Sequence, residues 1–575
     1  MLARFTAEEA VSALFEISVE AVSEEADMDF DPVLGRACRV TLESHGGGKR
    51  YFHGLLTQAR WTGMHDTLHG YQMILRPWLW LLSQTSNCRF FQDIPVPQII
   101  RKVFEEANVS DFEFKLDGTY PNLDYCVQYR ETDFAFISRL MEEYGLYYYF
   151  RHEQDRHLLV IADSMGSHPM PEGDGTLPFN PLMGGIAHPH AHLQRWSSGR
   201  RFASGRFSIN DYDFKKPGAK LEVHREGNET YDRSRLEIYD YPGRYTDRDQ
   251  GEALAKVRLE AAQSFDHVRH ASGNAPLLSA GMKFTLKNHP SDKENAEYLT
   301  LRASHAISEQ SYRSGVPTDL MRAEYTGHYV LVPASRAFRA PQVTPRPVIH
   351  GIQTAKVVGD EGDEITVDKY GRIKVQFHWD RQKKPSCWVR VAEVFAGAAW
   401  GGVFHPRAGQ EVVVDFLEGD PDRPLVVGAL YNADNMPPYA LPANKTVSGW
   451  KTSSSKGGGG YNELSFDDRK SAEMIRMHAQ KDHEATILHR RKVSIGEKFP
   501  SPTGSVSDHL CVKKGDLQIE VESGIIKISA QMKIELTVGG STLTLDPSGI
   551  TLKAPTITLQ SDGPCVVKGL PVKIN

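Results

Sequence analysis

Residues 536–560 read LTVGGSTLTLDPSGITLKAPTITLQ, and their apolar positions fall in pairs two residues apart. The pairs are Leu536 and Val538, Leu543 and Leu545, Ile550 and Leu552, and Ile557 and Leu559, each starting seven residues after the last. A coiled coil needs alternating gaps of about three and four. Here the gaps are two and five, and two is the strand period. Pro547, Gly549, Pro555 and the many Thr and Ile residues also favour strands. The intervening GGST, DPSG and KAPT read as turns or corners. Each repeat is therefore one short strand plus a corner, and stacked repeats must share a core. The stretch LQIEVESGIIKISA adds looser repeats at Ile519/Val521 and Ile526/Ile528. That is too little apolar surface for a β-helix built by one chain. Three identical chains, each supplying one face of every coil, would bring the apolar pairs together on an axis. Each buried Leu, Ile or Val is then worth roughly 1.5–3 kcal/mol.

The N-terminal region mixes periods. FEISVEAV (15–22) and CRVTLES (38–44) alternate as strands. QIIRKVFEEA (98–107) and FAFISRLMEEYG (134–145) carry helical stripes, the second ending at Gly145. Residues 151–340 are strand-rich, with one amphipathic helix at EALAKVRLEAAQ (252–263). RAFRAPQVTPRPVIHG (336–351) holds three prolines and suits a linker. Beyond it, 362–380, 387–393 and 411–432 alternate as closely spaced strands that fit a small barrel such as an OB-fold. MPPYALPANKTVSGWKTSSSKGGGGYN (436–462) has no apolar periodicity and reads as a linker.

At 575 residues the chain has room for about four domains. Its 40% hydrophobic and 24% charged content is that of a folded protein. The net charge of −6 argues against binding nucleic acid through phosphate neutralisation. In the barrel segment Lys374, Lys383 and Lys384 with Trp379 and Trp388 could form a stacking platform. Asp415, Glu418, Asp420 and Asp422 in the same segment would repel phosphate. The six cysteines, Cys38, Cys88, Cys126, Cys387, Cys511 and Cys565, form no CxxC pair and imply neither a zinc ribbon nor a disulfide framework. The N-terminus lacks a basic region followed by a clean apolar run, so no Sec signal peptide is expected. MILRPWLWLL (73–82) is too short for a membrane span.

Candidate chemistry is sparse. HPHAH (188–192) puts His188, His190 and His192 on one face of an extended strand, where three imidazoles could hold a transition metal. Pro189 and the preceding glycines suit a solvated surface loop instead. HEATILH (483–489) has the wrong spacing for a zincin helix, and SSSKGGGG (453–460) lacks the P-loop order. No catalytic, cofactor or metal residue is assigned.

YGRIKVQFHWD (370–380), WVRVAEVFAGAAWGGVFHPRAGQEVVVDFLEGDPDRPLVVGALYN (388–432) and NELSFDD (462–468) carry a family resemblance, as do CVQYRETDFAFISRLMEEYGLYYYF (126–150) and YDYPGRY (239–245). The chain resembles VgrG, the trimeric spike family of bacterial type VI secretion, itself similar to hub and needle proteins of contractile phage tails. The resemblance implies a mainly β protein with a hub of β-barrels over 1–345 and an OB-fold over 346–435. A linker and neck would follow over 436–470, then an intertwined trimeric β-helix needle over 471–575. It implies a homotrimer on a tube of Hcp hexamers, with baseplate proteins, a PAAR-repeat tip protein, and an effector with its adaptor as further partners. Val566, Val567, Leu570 and Val572 follow the break at SDGP (561–564) and would dock the tip protein. No cofactor is implied. The expected location is the bacterial cytoplasm during assembly, then the medium or a target cell. Some relatives carry a lysozyme-like domain between barrel and needle, or a C-terminal effector domain. The interval 435–463 is too short for the first, and the given sequence runs only a few residues past the last repeat, so no enzymatic activity is expected. Alternatives are a peptidoglycan-degrading spike, which needs paired carboxylates, and a tailocin or phage-tail spike.

Overall fold

The computed structural model describes residues 1–43, 48–171, 174–181, 191–308, 324–496, 498 and 505–573. It falls into two units, Met1–Gln480 and Lys481–Asn575.

The first unit is built on an 11-stranded sheet. Its main path runs His192–Ser198, Arg269–Asn274, Glu324–Pro333, Glu297–Ser308, Leu2–Ala10, Glu16–Ser23, Leu68–Arg76, Lys49–His65 and Ala37–Glu43. The N-terminal strand therefore pairs with Glu297–Ser308, about 300 residues away (Phe5 opposite Ile307), which closes the hub early in the chain on its own late strands. Helices α1 (Val96–Glu106) and α2 (Asp133–Tyr144) share the core of this sheet, whereas α3 (Arg248–Gln263) packs on a separate three-stranded sheet of Val223–Glu226, Arg206–Ile209 and Glu237–Asp240. Proline opens α1, where a missing N–H costs nothing. Thr132 Oγ1 caps α2 by accepting from the Ala135 N–H at 3.1 Å. Gly145 stops it at φ 75°, and a Cβ there would stand 2.8 Å from Val257 of α3, so the stop also sets the approach of two helices. The stripes of α1 and α2 and the strands then share one core, with Phe5, Phe15, Phe52, Phe104 and Phe136 fully buried.

That core also holds charge. Glu9 is buried between Arg50 (Nη2 to Oε2, 2.5 Å), His152 (Nε2 to Oε1, 3.1 Å) and His305 (Nε2 to Oε2, 3.4 Å). His152 Nδ1 accepts from the His53 backbone N–H at 3.0 Å. His53 and His157 face each other through Nδ1 at 2.9 Å, and His157 Nε2 accepts from the Trp78 N–H at 2.9 Å. Among these histidines, burial lowers the basicity of His53, His157 and His305, and His157 falls to about 2.

The barrel expected over 346–435 contains a five-stranded sheet ordered Lys374–Phe377, Gln353–Val358, Glu411–Phe416, Pro424–Leu430 and Arg390–Val391. Its interior is Ala355, Val357, Ile373, Val375, Phe377, Val412, Val414 and Val426. The strand expected across 362–380 is reduced to Lys374–Phe377. Upstream, the Asp368 carboxylate accepts from the N–H groups of Tyr370 and Arg372 at 2.9 Å each, and such local bonds draw the backbone out of a ladder.

Residues 336–351, read as a linker, contain no strand but are tied down along their length. Arg339 donates to Glu260 (2.9 Å) and to Gly145 O (2.8 Å), Glu142 accepts from the N–H groups of Val343 and Thr344, and Ile349 N–H donates to Gly419 O (2.8 Å). Proline supplied the linker signature, whereas side-chain charge supplies the anchoring. The 436–470 interval, also read as linker and neck, carries two strands of a three-stranded sheet, Val447–Lys451 and Glu463–Asp467, with Met474–His478 as the third.

In the second unit three successive repeats, Ile534–Val538, Ser541–Asp546 and Gly549–Lys553, pair with one another as an antiparallel meander. Strands of five, six and five residues joined by two-residue turns place Leu536, Leu543 and Ile550 seven positions apart. The sequence reading had each strand supply one face of a coil shared by three chains. In the structure the ladder partners of these three strands lie in the same chain.

Candidate functional site

The chain's assembly surfaces follow from which apolar side chains its own fold leaves uncovered. In the second unit no described residue is buried. The meander's register explains how that unit is nonetheless ordered by face. Ile534 lies opposite Leu545, which lies opposite Ile550; Leu536 lies opposite Leu543, which lies opposite Leu552. Directly opposed residues share a sheet face. Val538 lies two residues beyond Leu536 and joins them. The other face carries Glu535, Thr537, Thr542, Thr544, Thr551 and Lys553. Seven apolar side chains thus form one continuous patch on a sheet of three strands, and Val538 is 81% exposed. A three-stranded sheet needs its apolar face packed against something to be stable.

Of the needle residues read from sequence, Leu536, Val538, Leu543, Leu545, Ile550 and Leu552 are brought onto this face. Ile557 and Leu559 lie beyond the meander, exposed and outside any strand. Val566, Val567, Leu570 and Val572 are likewise exposed and outside any strand, Leu570 completely so.

A second uncovered band lies in the first unit, and the sequence reading missed it. In the sheet of Val447–Lys451, Glu463–Asp467 and Met474–His478, Trp450 opposes Leu464, which opposes Met477, and Phe466 opposes Ile475. Ile475 is 72% exposed, and Trp450 and Met477 are nearly as open. The hairpin of Ala396–Gly397 and Trp400–Gly401 exposes Val394, Phe395, Trp400, Val403 and Phe404. Gly401 has φ 143°, and a Cβ there would stand 2.3 Å from Phe395 O, so only glycine lets the hairpin close. The signal was available: VFAGAAWGGVF (394–404) holds five large apolar residues and no charge.

The barrel is fastened to the hub by a cluster of ion pairs. The loop LEGDPDR (417–423) turns through Glu418 and Gly419, both with positive φ. A Cβ on Gly419 would stand 2.6 Å from Val348, so glycine admits the preceding segment. Arg244 binds Asp420, Arg423 binds Asp211 (2.6 Å), and Arg346 reaches both Asp422 (3.2 Å) and Glu143 of α2 (3.5 Å). Asp422 Oδ1 accepts from the Val127 N–H at 2.6 Å. Burial raises the carboxyls of Asp420 and Asp422, although Arg346 pulls both down. Trp379 stacks on Phe377 at 5.0 Å and meets Tyr129 and Phe90 of the hub, so it is half-buried in the hub–barrel seam and not a free base-stacking platform.

His188 and His190 lie outside the described residues. His192 is buried, and its Nε2 is 3.1 Å from Gln194 Nε2. Glu229, Asp266 and His267 bring three ligand atoms within 4.8 Å of one another. The Arg336 guanidinium binds both carboxylates at 2.9 Å, and Arg200 also binds Glu229. Two cations already match two anions there. All six cysteines are free. No helix among the described residues is long and apolar enough to cross a membrane.

Comparison with known proteins assigns these parts. The phage tail baseplate hub family (GPD) matches residues 8–311, and the type VI secretion system/phage-baseplate injector OB domain matches 354–431. The bacteriophage T4 gp5 C-terminal trimerisation domain matches 448–520, a span that takes in the three-stranded sheet whose first two strands fall in the interval read as linker and neck. The type VI secretion system spike protein VgrG1a of Pseudomonas aeruginosa is 39% identical over 98% of this chain and 90% of its own length. VgrG1b of the same organism is 42% identical over 84% of this chain and 66% of its own length. The actin cross-linking toxin VgrG1 of Vibrio cholerae is 34% identical over 96% of this chain but only 52% of its own length. Among solved structures, the E. coli c3393 protein, a type VI secretion component with structural similarity to T4 gp27 and gp5, covers 75% of this chain and 96% of its own, with a TM-score of 0.54 at 20% identity. The lidless PdpA–VgrG complex covers 83% of this chain and 94% of its own, with a TM-score of 0.55 at 7% identity. With a phage-tail-like hub, an injector OB domain, a trimerisation domain and these relatives over nearly its full length, the chain belongs to the VgrG family of type VI secretion system spike proteins.

Proposed function

We propose that this chain acts as a homotrimeric puncturing spike at the tip of the type VI secretion tube. In this reading it carries a PAAR-repeat protein on its tip and delivers non-covalently bound effectors, with an adaptor, into target cells. It sits on Hcp hexamers and baseplate proteins, assembles in the cytoplasm and leaves through the secretion system, and is not itself an enzyme. The hub is assigned to 1–345, the OB-fold to 346–435, linker and neck to 436–470, and the needle to 471–575. The observation that carries the reading is the second unit, where an apolar face of seven side chains has no core of its own chain to enter. Three copies packed about a common axis would cover it. Sedimentation of the full-length protein is expected to give about three times 64.4 kDa. A monodisperse monomer would overturn the trimer and the spike with it.

Val566, Val567, Leu570 and Val572 supply an apolar surface that three chains would repeat about the axis. The ends of paired strands offer open backbone groups that favour covering. Removing residues 566–575 is expected to leave the trimer intact, because the meander face stays whole. Co-purification with a PAAR-repeat protein is expected to be lost and secretion strongly reduced. Retention of that partner by the truncated trimer would put the docking surface elsewhere.

A further inference from the structure

The outer face of the barrel gathers cations that the chain itself does not match. Ile373 and Val389 form a hydrogen-bonded antiparallel pair, with Ile373 N–H donating to Val389 O at 2.9 Å and Val389 N–H donating to Ile373 O at 2.7 Å, and both are buried. Side chains alternate between the faces of an extended segment, so the flanking Arg372, Lys374, Trp388 and Arg390 point outward. Lys374 Nζ lies 4.7 Å from the centre of the Trp388 ring. Arg372 and Arg390 both lie against the ring of Phe214, a hub residue, at 5.4 and 4.7 Å. Like charges opposite each other on a sheet destabilise it. One carboxylate answers them: Asp368 binds Arg372 at 2.7 Å. Among the described residues no carboxylate pairs with Lys374 or Arg390, nor with the exposed Lys216 and Lys220 that follow Phe214. Asp420 and Asp422 of the same barrel are already bound by Arg244 and Arg346 at the seam. In a chain whose net charge is −6, a face with unmatched cations attracts an outside anion.

We infer that this face binds an acidic, extended segment of a partner protein, whose carboxylates are taken by Lys374 and Arg390. Arginine presents a planar fork of donors that fits a carboxylate with two bonds at once. A cation over a ring keeps its charge, so the contact with Phe214 holds Arg390 in place without neutralising it. Single-stranded nucleic acid is the other anion that a small barrel of this kind could take, and the geometry disfavours it. Binding there relies on aromatic rings on which bases stack. The three rings beside these cations each carry one already: Lys374 on Trp388, Arg390 on Phe214, and Lys369 on Tyr370 at 5.1 Å. A base would compete with the chain's own cation at every ring, whereas a carboxylate needs only the donors. The face lies wholly within the first unit, so it stands apart from the needle and its tip.

The test uses the full-length protein at about 0.15 M salt, where distant surface charges are largely screened. Fluorescein-labelled hexaglutamate is the probe, with hexaglutamine as its uncharged analogue and a thymidine hexanucleotide as the anion that stacks. Fluorescence anisotropy is expected to show saturable binding of hexaglutamate, none of hexaglutamine, and weaker binding of the oligonucleotide. The Lys374→Gln and Arg390→Gln double variant is expected to weaken hexaglutamate at least about ten-fold, the factor carried by one hydrogen bond to a charged group. Lys216→Gln with Lys220→Gln disturbs none of the ring contacts, and is expected to weaken it about three-fold, the worth of an exposed ion pair. Lys102→Gln with Lys293→Gln removes the same net charge from exposed positions elsewhere and should leave the affinity unchanged. No saturable binding of hexaglutamate to the native protein, equal loss in all three double variants, or tighter binding of the oligonucleotide would overturn the proposal. If the first variant fails to fold, the second decides in its place, and an unchanged affinity there overturns the proposal.

Discussion

Leu543→Asp is expected to abolish the trimer. Leu543 stands at the centre of the meander, opposite Leu536 on one side and Leu552 on the other, so it cannot avoid the apolar face. In the trimer each such side chain is worth roughly 1.5–3 kcal/mol. Three carboxylates brought to one axis without partners would each cost several kcal/mol more. Thr551→Asp is the matched control, since Thr551 is exposed and opposes Thr544 on the other face. Sedimentation should give a species of one chain's mass for Leu543→Asp and a trimer for Thr551→Asp. Equal damage from both would mean that the assembly buries the threonine face, and the orientation of the needle would have to be reversed.

This contrast was only half legible in the sequence. The pairs at Leu543/Leu545 and Ile550/Leu552 disclose strands, because a gap of two has no helical reading. What those strands pair with depends on the turns at Gly539-Gly540 and Pro547-Ser548, and the period is the same whether the next strand belongs to the same chain or another. Ile534, which completes the face opposite Leu545, escaped because it precedes the strict repeat. The helices were plain for a local reason: α2 carries its stripe, its Thr132 cap and its Gly145 stop within fourteen residues. The sheet over Val447–His478 was hidden by composition. Its Gly- and Ser-rich connection, KTSSSKGGGG, masks two short strands on either side. Trp450 gains its meaning only from Leu464, opposite it on the next strand, and from Met477, opposite Leu464 on the third. The fastening of barrel to hub was the least legible. Asp422 meets Val127 across 295 positions, and nothing in either stretch announces the other.

The hub core supplies the second large expected effect, and it too joins distant residues. Glu9 is the shared partner of Arg50, His152 and His305, with Arg50 and Glu9 both buried. Arg50 pulls the Glu9 carboxyl well below its usual range, although burial itself, the largest influence, pushes upward. Glu9→Ala removes the anion and leaves a guanidinium in the core. The expected cost is about 3–5 kcal/mol, the range for breaking one side of a buried pair. Glu9→Gln keeps the shape and some hydrogen bonds but not the charge, and should cost less than Ala while remaining well below the native protein. The same cluster sets a pH dependence. His53, His157 and His305 are less basic in the fold than their ordinary value of 6.5, so the unfolded chain takes up protons first as pH falls. Stability from these groups is complete above about pH 6.5 and is lost progressively below it. For His157 the loss continues down to about pH 2. Glu9, lowered from 4.5, adds a second loss with the same sign below that value. The urea midpoint of the hub should therefore fall between pH 7 and pH 5, before ordinary carboxylates titrate. His157→Asn should flatten that decline, because His157, held down to about 2 in the fold, no longer titrates. A midpoint that is level over this interval, or that rises as the solution is acidified, would mean that the histidines are not held neutral in the core.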